Sequence, residues 1–363
     1  MDHQSPLATD TPPESIAILR LSAIGDCCHM VPVVRSLQDA FPATPITWLI
    51  GRTEAALIGD LDGVEFISFD KRRGLSEYRR IRRELGQRRF GALLHAQVAL
   101  RANLLATAAR AHRRIGFDAA RARDGHGLFI DERIQPQPEA HVMAGFFGFA
   151  EALGVEERSM RWKIPIPGAA CETAARHIYD DEPALVISPC TSQRFRNFRN
   201  WAPERYARVA EYASERGLKV LITGGASDEE ARYGEAITRL SQAPVTNLVG
   251  QTSLKELLAL LGRATAVVAP DSGPVHMAVA AGTPVIGLYA TSNPRRTGPS
   301  LGQHWVVNAY PQAVQRAFGV DEDAVSWGRR VRDPAAMELI TVDAVIERLD
   351  ALLATPAEQR MNR

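Results

Sequence analysis

No run of eighteen apolar residues occurs in this chain of 363 residues, so nothing in it reads as a membrane-spanning helix. Net charge is equally scarce. Lys and Arg number 43 against 42 Asp and Glu, leaving +1, too little for a global field that would draw nucleic acid. The four cysteines, Cys27, Cys28, Cys171 and Cys190, show no metal spacing and no Cys-x-x-Cys pair. Adjacent Cys27 and Cys28 cannot bridge each other without strain, and the usage fits a reducing cytoplasm. Glycine signatures for nucleotides are missing too. No Gly-x-Gly-x-x-Gly follows the first strand and no P-loop occurs, which weighs against an NAD-dependent oxidoreductase. Residues 1–14 are polar and Pro-containing, and read as a frayed tail rather than a signal peptide. What is present, 45% hydrophobic and 23% charged residues, describes a globular chain with length for two domains.

Short apolar runs alternate with helical periodicity. Ile16–Leu21, Ile46–Ile50, Val64–Phe69 and Ala92–Ala96 read as buried parallel strands, with helices after the first (Val31, Val34, Leu37, Phe41) and over Leu100–Ala111. Residues 158–183 carry three prolines and no sustained period apart from a short helical stretch near Ala174–Ile178. The alternation then restarts with strands at Ala184–Ser188, Lys219–Thr223, Ala266–Ala269 and Pro284–Tyr289. Helices are expected at Pro203–Arg216, Asp228–Leu240, Ser253–Leu261 and Pro274–Ala281. The expected organisation is a tail (1–14), a first domain (15–160), a connection (161–183), a second domain (184–330) and a helical end (331–363). That end contains a helix at Val342–Leu353 that could return to the first domain. The fold class is α/β: two Rossmann-like, doubly wound parallel-sheet domains. Ligands of such sheets bind beyond the carboxyl ends of the strands, so two domains facing each other make a cleft.

Two loops carry the chemistry. Ser22–Asp26 (SAIGD) joins the first strand to a helix, and a strand-end carboxylate beside Gly25 suits a general base. Asp is equally a favoured helix cap, so spacing alone leaves base and cap open. In the second half, APDSGPVHMAVAAGTP places Asp271-Ser272-Gly273 in a tight turn with Pro274 at a helix's first position. Free N–H groups there fit a diphosphate, while Asp271 suits sugar hydroxyls or backbone N–H groups and His276 a phosphate oxygen. An ordinary N-capped crossover helix with small packing residues is the competing account. Gly224-Gly225 after a strand admits a close ligand. Arg194, Arg196 and Arg199 in SQRFRNFRN offer forked donors to phosphate, or else form a solvated basic loop.

One segment breaks the charge balance. Residues 71–90 hold nine Lys and Arg against Glu77 and Glu84, and Arg101, Arg110, Arg113, Arg114, Arg121 and Arg123 extend the excess. Few aromatics interleave, which weighs against single-stranded nucleic acid and leaves a phosphorylated or lipid-borne partner, or a plain basic surface.

In family order, ILRLSAIGDCCHMVPVVRSL, NWAPERYARVA, ITGGASDEE, the block from NLVGQTSLKELLALLGRATAVVAPDSG to PVIGLY, and TSNPRRTGP resemble the heptosyltransferases of the lipopolysaccharide inner core. FDKRRG, ALLHAQVALRANLL and RRIGFDAARARDG look most like the first of them, which acts on Kdo of Kdo–lipid A. The resemblance implies a GT-B fold, ADP-L-glycero-D-manno-heptose as donor, inversion at the anomeric carbon and no essential metal or other cofactor. By position it assigns catalytic roles to Asp26, as base, and to Arg199, in place of a Lys two residues before a Trp-Pro pair. This chain reads RNWAP there, with an inserted alanine. Donor contacts fall on Thr191, Ser192, Gly224, Gly225, Ser227, Leu254, Asp271, Ser272, Gly273, Pro274 and His276. Acceptor contacts fall on Ser22, Gly25, Arg72, Arg73, Arg101 and Arg121. The acceptor implies a cytoplasmic enzyme lying peripherally on the inner membrane through its basic face. A GT-B transferase with another nucleotide sugar, a later core heptose or a protein hydroxyl as acceptor is the alternative. A non-catalytic nucleotide- or lipid-binding module is a third.

Overall fold

A computed structural model of the chain describes residues 11–191 and 198–361, in two compact units, Met1–Pro165 and Ile166–Arg363. In the first unit one sheet is built from β1 (Ile16–Leu19), β2 (Ile46–Gly51), β3 (Val64–Phe69), β4 (Arg89–His95), β5 (Arg110–Gly116) and β6 (Glu132–Arg133). All pairings are parallel, in the order β3-β2-β1-β4-β5-β6. Helices α1 (Ile24–Ala40), α2 (Arg52–Ile58), α3 (Leu75–Leu85), α4 (Leu100–Ala106) and α5 (Val142–Glu151) cover it. The central β1 is fully buried, with Ile16 between Ile46 and Ala92, which is why its sequence is apolar without alternation.

The second unit repeats the plan. Its strands are β7 (Ala184–Ile187), β8 (Lys219–Ile222), β9 (Val245–Asn247), β10 (Ala266–Pro270), β11 (Val285–Tyr289) and β12 (Val307–Asn308), ordered β12-β11-β10-β7-β8-β9. Its helices are α6 (Gly168–His177), α7 (Pro203–Glu215), α8 (Asp228–Leu240), α9 (Leu254–Arg263), α10 (Gly273–Ala280), α11 (Pro294–Thr297), α12 (Tyr310–Phe318) and α13 (Val342–Ala354). Both sheets therefore run in the doubly wound order, and each reverses direction beside its first strand: between β1 and β4, and between β7 and β10. Ligand sites belong beyond the carboxyl ends at those two points.

The structure differs from the sequence reading in four places. The helix expected over Leu100–Ala111 stops at Ala106, and Arg110–Gly116 is a strand. Its arginines read as a basic surface, but Arg113 reaches Glu132 and Arg114 donates to the Ala106 and Ala109 carbonyls. Inside the expected connection 161–183, the Trp162 indole donates to the Cys28 carbonyl at 2.9 Å, while α6 packs on α9. The C-terminal helix α13 lies on α7 and shares the buried core of its own unit through Val345, Leu349 and Leu352. From residue 11 onward the tail is placed, with the Pro13 carbonyl accepting from Thr44 at 3.0 Å. No helix among the described residues is long and apolar enough to cross a membrane.

Candidate active site

Behind β1 the chain turns through Ser22 into α1. Asp26 occupies the third helical position, where one carboxylate oxygen, Oδ2, accepts the Ala23 N–H and pairs with the Arg20 guanidinium. It is thus a first-turn acid and not the helix cap. Arg20 is itself buried; it donates to the Ala96 carbonyl at 2.6 Å and lies over the Phe146 ring at 5.1 Å. The carboxylate is therefore held through one oxygen by an immobile cation, while its side chain remains one-third exposed, at 32%. Gln97, beyond β4, ties down the same turn, its Oε1 accepting from Leu21 N and Ser22 N at 2.6 and 3.2 Å. Gly25 is buried in the first helical turn.

A pocket of about 500 Å³ opens beside Ser22, lined also by Leu21, Gly51, Arg52, Glu54, Phe69, Asp70, Lys71, Arg72 and Arg101. Four cations outnumber two acids on its walls. The Arg72 guanidinium and backbone, with Arg52, hold the Asp70 carboxyl far below the usual carboxylate range, so it stays ionised. Burial instead pushes Glu54 upward. Gly51 is required here: a Cβ would meet the Leu21 carbonyl oxygen at 2.2 Å and Glu54 Oε2 at 2.4 Å. The pocket suits an anionic ligand that also offers hydroxyls to acids.

In the second unit, Arg199 arrives before α7 and Asp271 ends the β10 loop. The Arg199 guanidinium donates to the Asp271 carbonyl at 2.8 Å and stands 3.6 Å from its carboxylate. Ser292, beyond β11, donates to Asp271 Oδ2 at 2.8 Å. Arg199 and Ser292 thus answer the charge of the Asp271 carboxylate beside the start of α10. Ser272 caps α10 by position, with Gly273, Pro274 and Val275 in the first turn and His276 buried behind them. The Ser272 hydroxyl is buried with no partner among the described residues. Thr191, behind β7, donates from N and Oγ1 to Asn200 Oδ1, and Asn200 donates in turn to Glu229 at 3.1 Å. At the Gly224-Gly225 turn, Gly225 N donates to Glu230 Oε1 at 2.8 Å, and Ser227 caps α8 while donating to Glu230.

The expected residues thus gather unevenly. Arg199 and Asp271 touch, and Ser22, Arg72 and Arg101 share one pocket. Arg73 pairs with buried Glu77, and Arg121 binds Asp118 and the Gln137 carbonyl, away from the pocket walls. Leu254 is half-buried in the first turn of α9, which Ser253 and Glu256 cap reciprocally. Ser192, Arg194 and Arg196 lie outside the described residues. Sequence reasoning missed Arg20, a lone cation at the end of an apolar run, and Arg52 and Glu54, each an isolated charge behind β2. It also missed Asn200, Glu230 and Ser292. Among the described residues no three His, Cys, Asp or Glu are grouped to hold a metal.

Residues 78–318 match the model of glycosyltransferase family 9, the heptosyltransferases. The lipopolysaccharide core heptosyltransferase OpsX of Haemophilus influenzae is 37% identical over 96% of this chain and 99% of its own length. Lipopolysaccharide heptosyltransferase 1 of Salmonella typhimurium is 23% identical over 78% and 90%. The likeness that FDKRRG and its neighbours suggest to the first enzyme is thus weaker than that to OpsX. The structure of the E. coli heptosyltransferase WaaC with ADP superposes with a TM-score of 0.73 at 18% identity, covering 93% of this chain and 99% of that one. The expected GT-B class of two Rossmann-like domains agrees with that superposition.

Proposed function

Because the chain belongs to glycosyltransferase family 9 and is a heptosyltransferase of lipopolysaccharide core synthesis, we propose that it moves heptose from ADP-L-glycero-D-manno-heptose to Kdo of Kdo–lipid A. Asp26 acts as general base. Arg20 occupies one of its oxygens, and the other takes the proton of the acceptor hydroxyl as that oxygen attacks the anomeric carbon. The new C–O bond forms opposite the breaking one, so configuration inverts, and ADP leaves with the electron pair on its β-phosphate.

The observation that carries this reading is Arg199 held on the Asp271 carbonyl at the mouth of α10. A fixed guanidinium beside N–H groups of a helix start meets the charge that grows on a departing diphosphate, with no metal ion required. The cationic pocket beside Ser22 receives the acceptor, with Arg72 and Arg101 on its acidic groups. Such an acceptor is lipid-borne and brings the protein to the cytoplasmic face of the inner membrane.

The experiment is direct. Purified protein given ADP-heptose and Kdo–lipid A should release ADP in step with heptosylated lipid. Turnover only with an acceptor that already bears heptose would sink the Kdo assignment. That second reading, a later core sugar as acceptor, is favoured by one comparison: identity is higher to a protein named as a core heptosyltransferase than to heptosyltransferase 1.

A further inference from the structure

Seven large hydrophobic residues stand exposed among the described residues, and four are leucines of the first unit: Leu75, Leu100, Leu104 and Leu128, at 75%, 59%, 48% and 86%. All four lie on segments that follow carboxyl ends of strands. Leu75 opens α3 after β3, Leu100 and Leu104 lie one turn apart on α4 after β4, and Leu128 sits in the turn His126–Phe129 after β5. Hydrogen bonds join these segments. Tyr78, a turn along α3 from Leu75, donates to the Arg101 carbonyl at 3.4 Å. Asn103 donates to the Asp124 carbonyl at 2.8 Å and meets His126 through its Oδ1 at 3.2 Å. Leu75 thus follows closely on Lys71 and Arg72 of the pocket wall and Leu100 adjoins its Arg101, and the segment bearing Leu128 joins this rim through α4.

The outer face of a short surface helix is ordinarily polar. Here α4 buries Ala102, Asn103, Leu105 and Ala106 and turns Leu100, Arg101 and Leu104 outward. On the same rim Lys71, Arg79, Arg101 and Arg123 are exposed, with no carboxylate at salt-bridge distance among the described residues. Leucines interleaved with unanswered cations fit an anionic bilayer surface, apolar side chains entering the headgroup boundary while cations meet phosphates.

We propose that this rim docks on an anionic membrane by inserting Leu75, Leu100, Leu104 and Leu128, so that the head of a lipid-borne acceptor enters the pocket without leaving the bilayer. The proposal rests on the lipid-borne acceptor of the preceding subsection and names the residues that reach the lipid.

Flotation of the full chain with vesicles tests it. The wild type should float with phosphatidylglycerol-rich vesicles and at least about tenfold less with phosphatidylcholine alone. Changing the four leucines to serine should weaken partitioning by about tenfold per leucine while ADP binding stays unchanged. If the fourfold variant misfolds, the pair Leu75→Ser and Leu128→Ser, the two most exposed, should still lose about a hundredfold. A wild type that ignores anionic vesicles, or serine variants that float like it, would overturn the proposal. So would a wild-type dimer that the serines dissolve, since a second copy would then cover the leucines. Vesicle binding by a wild type that transfers heptose neither to Kdo–lipid A nor to its deacylated form upholds this surface and overturns the acceptor assignment instead.

Discussion

At the switch point of the second sheet, Thr191, Asp271 and Ser292 are buried, and Arg199 exposes only 14% of its side chain. At the switch point of the first sheet, Arg52 and Arg72 expose 67% and 70%, and Asp26 32%. The strand order is the same in both, so the fold does not decide this difference; the loops do. Buried, mutually bonded groups hold a small ligand's charge at fixed distances, which is what a departing diphosphate needs. Long solvated cations adapt to a larger ligand and are screened by salt. In the proposed reaction this contrast suits the second unit to the donor and the first to the acceptor and the base.

Breaking the contrast at its chemical end should have the largest effect. Asp26→Ala is expected to lower turnover by at least about a hundredfold, measured as ADP release, because proton removal loses its base. A variant with near-normal turnover would remove Asp26 from that role. Next comes the buried cluster: Asp271→Ala removes the carboxylate that stands 3.6 Å from Arg199 and leaves the Ser292 hydroxyl unanswered, while the Arg199 bond to the carbonyl of residue 271 stays, costing about 1–3 kcal/mol in chemical denaturation. An unchanged denaturation midpoint would mean that the cluster is not rigid.

A third test separates the units by acid. His95 and His126 share Asn103 Oδ1 at 2.9 and 3.2 Å, and Phe117 N donates to His126 Nε2. Both rings are therefore neutral in the folded protein, and burial pushes them down to about 3 and about 4. The unfolded rings titrate near 6.5, so below that pH the unfolded state binds more protons. Stability should be full above about pH 6.5 and fall as pH drops toward 4, by about 1.4 kcal/mol per unit of depression at most. Hydrogen exchange should show α4 and the first sheet opening before the second; a flat response between pH 6.5 and 4 would contradict this. The smallest effect belongs to the solvated cations. Arg72→Ala with Arg101→Ala should raise the acceptor KM about tenfold, with the difference shrinking in high salt. A matching rise in donor KM would erase the distinction between the sites.

Much of this was legible in the sequence, for physical reasons. Strands buried on both faces leave apolar runs, so β1, β2, β7, β8, β10, β11 and the end of β4 stand out, while β3, with Glu65 and Ser68 exposed, shows as a half-buried run. Strand β5 does not, because the partners of its arginines lie on β6 and in the carbonyls of Ala106, Ala109 and Ala152, which only folding brings to them. The two- and three-residue strands β6, β9 and β12 are too short to show a period. Asp26, Asp271 and the turn before α10 were marked by glycine and proline. In the basic stretch 71–90 four of the nine cations, Arg72, Arg73, Arg80 and Arg88, spend their charge on Asp70, Glu77, Glu84 and Glu65, pairings that a count of charges does not show. Arg20 and Ser292, which orient the two key carboxylates, carry no local pattern because their roles exist only after folding.

The division of labour is tested most directly by titrating ADP calorimetrically into Asp26→Asn and Arg199→Ala. Binding should be unchanged in the first and at least about tenfold weaker in the second, the loss of one charged hydrogen-bonding partner. Equal weakening in both, or none in Arg199→Ala, would contradict it.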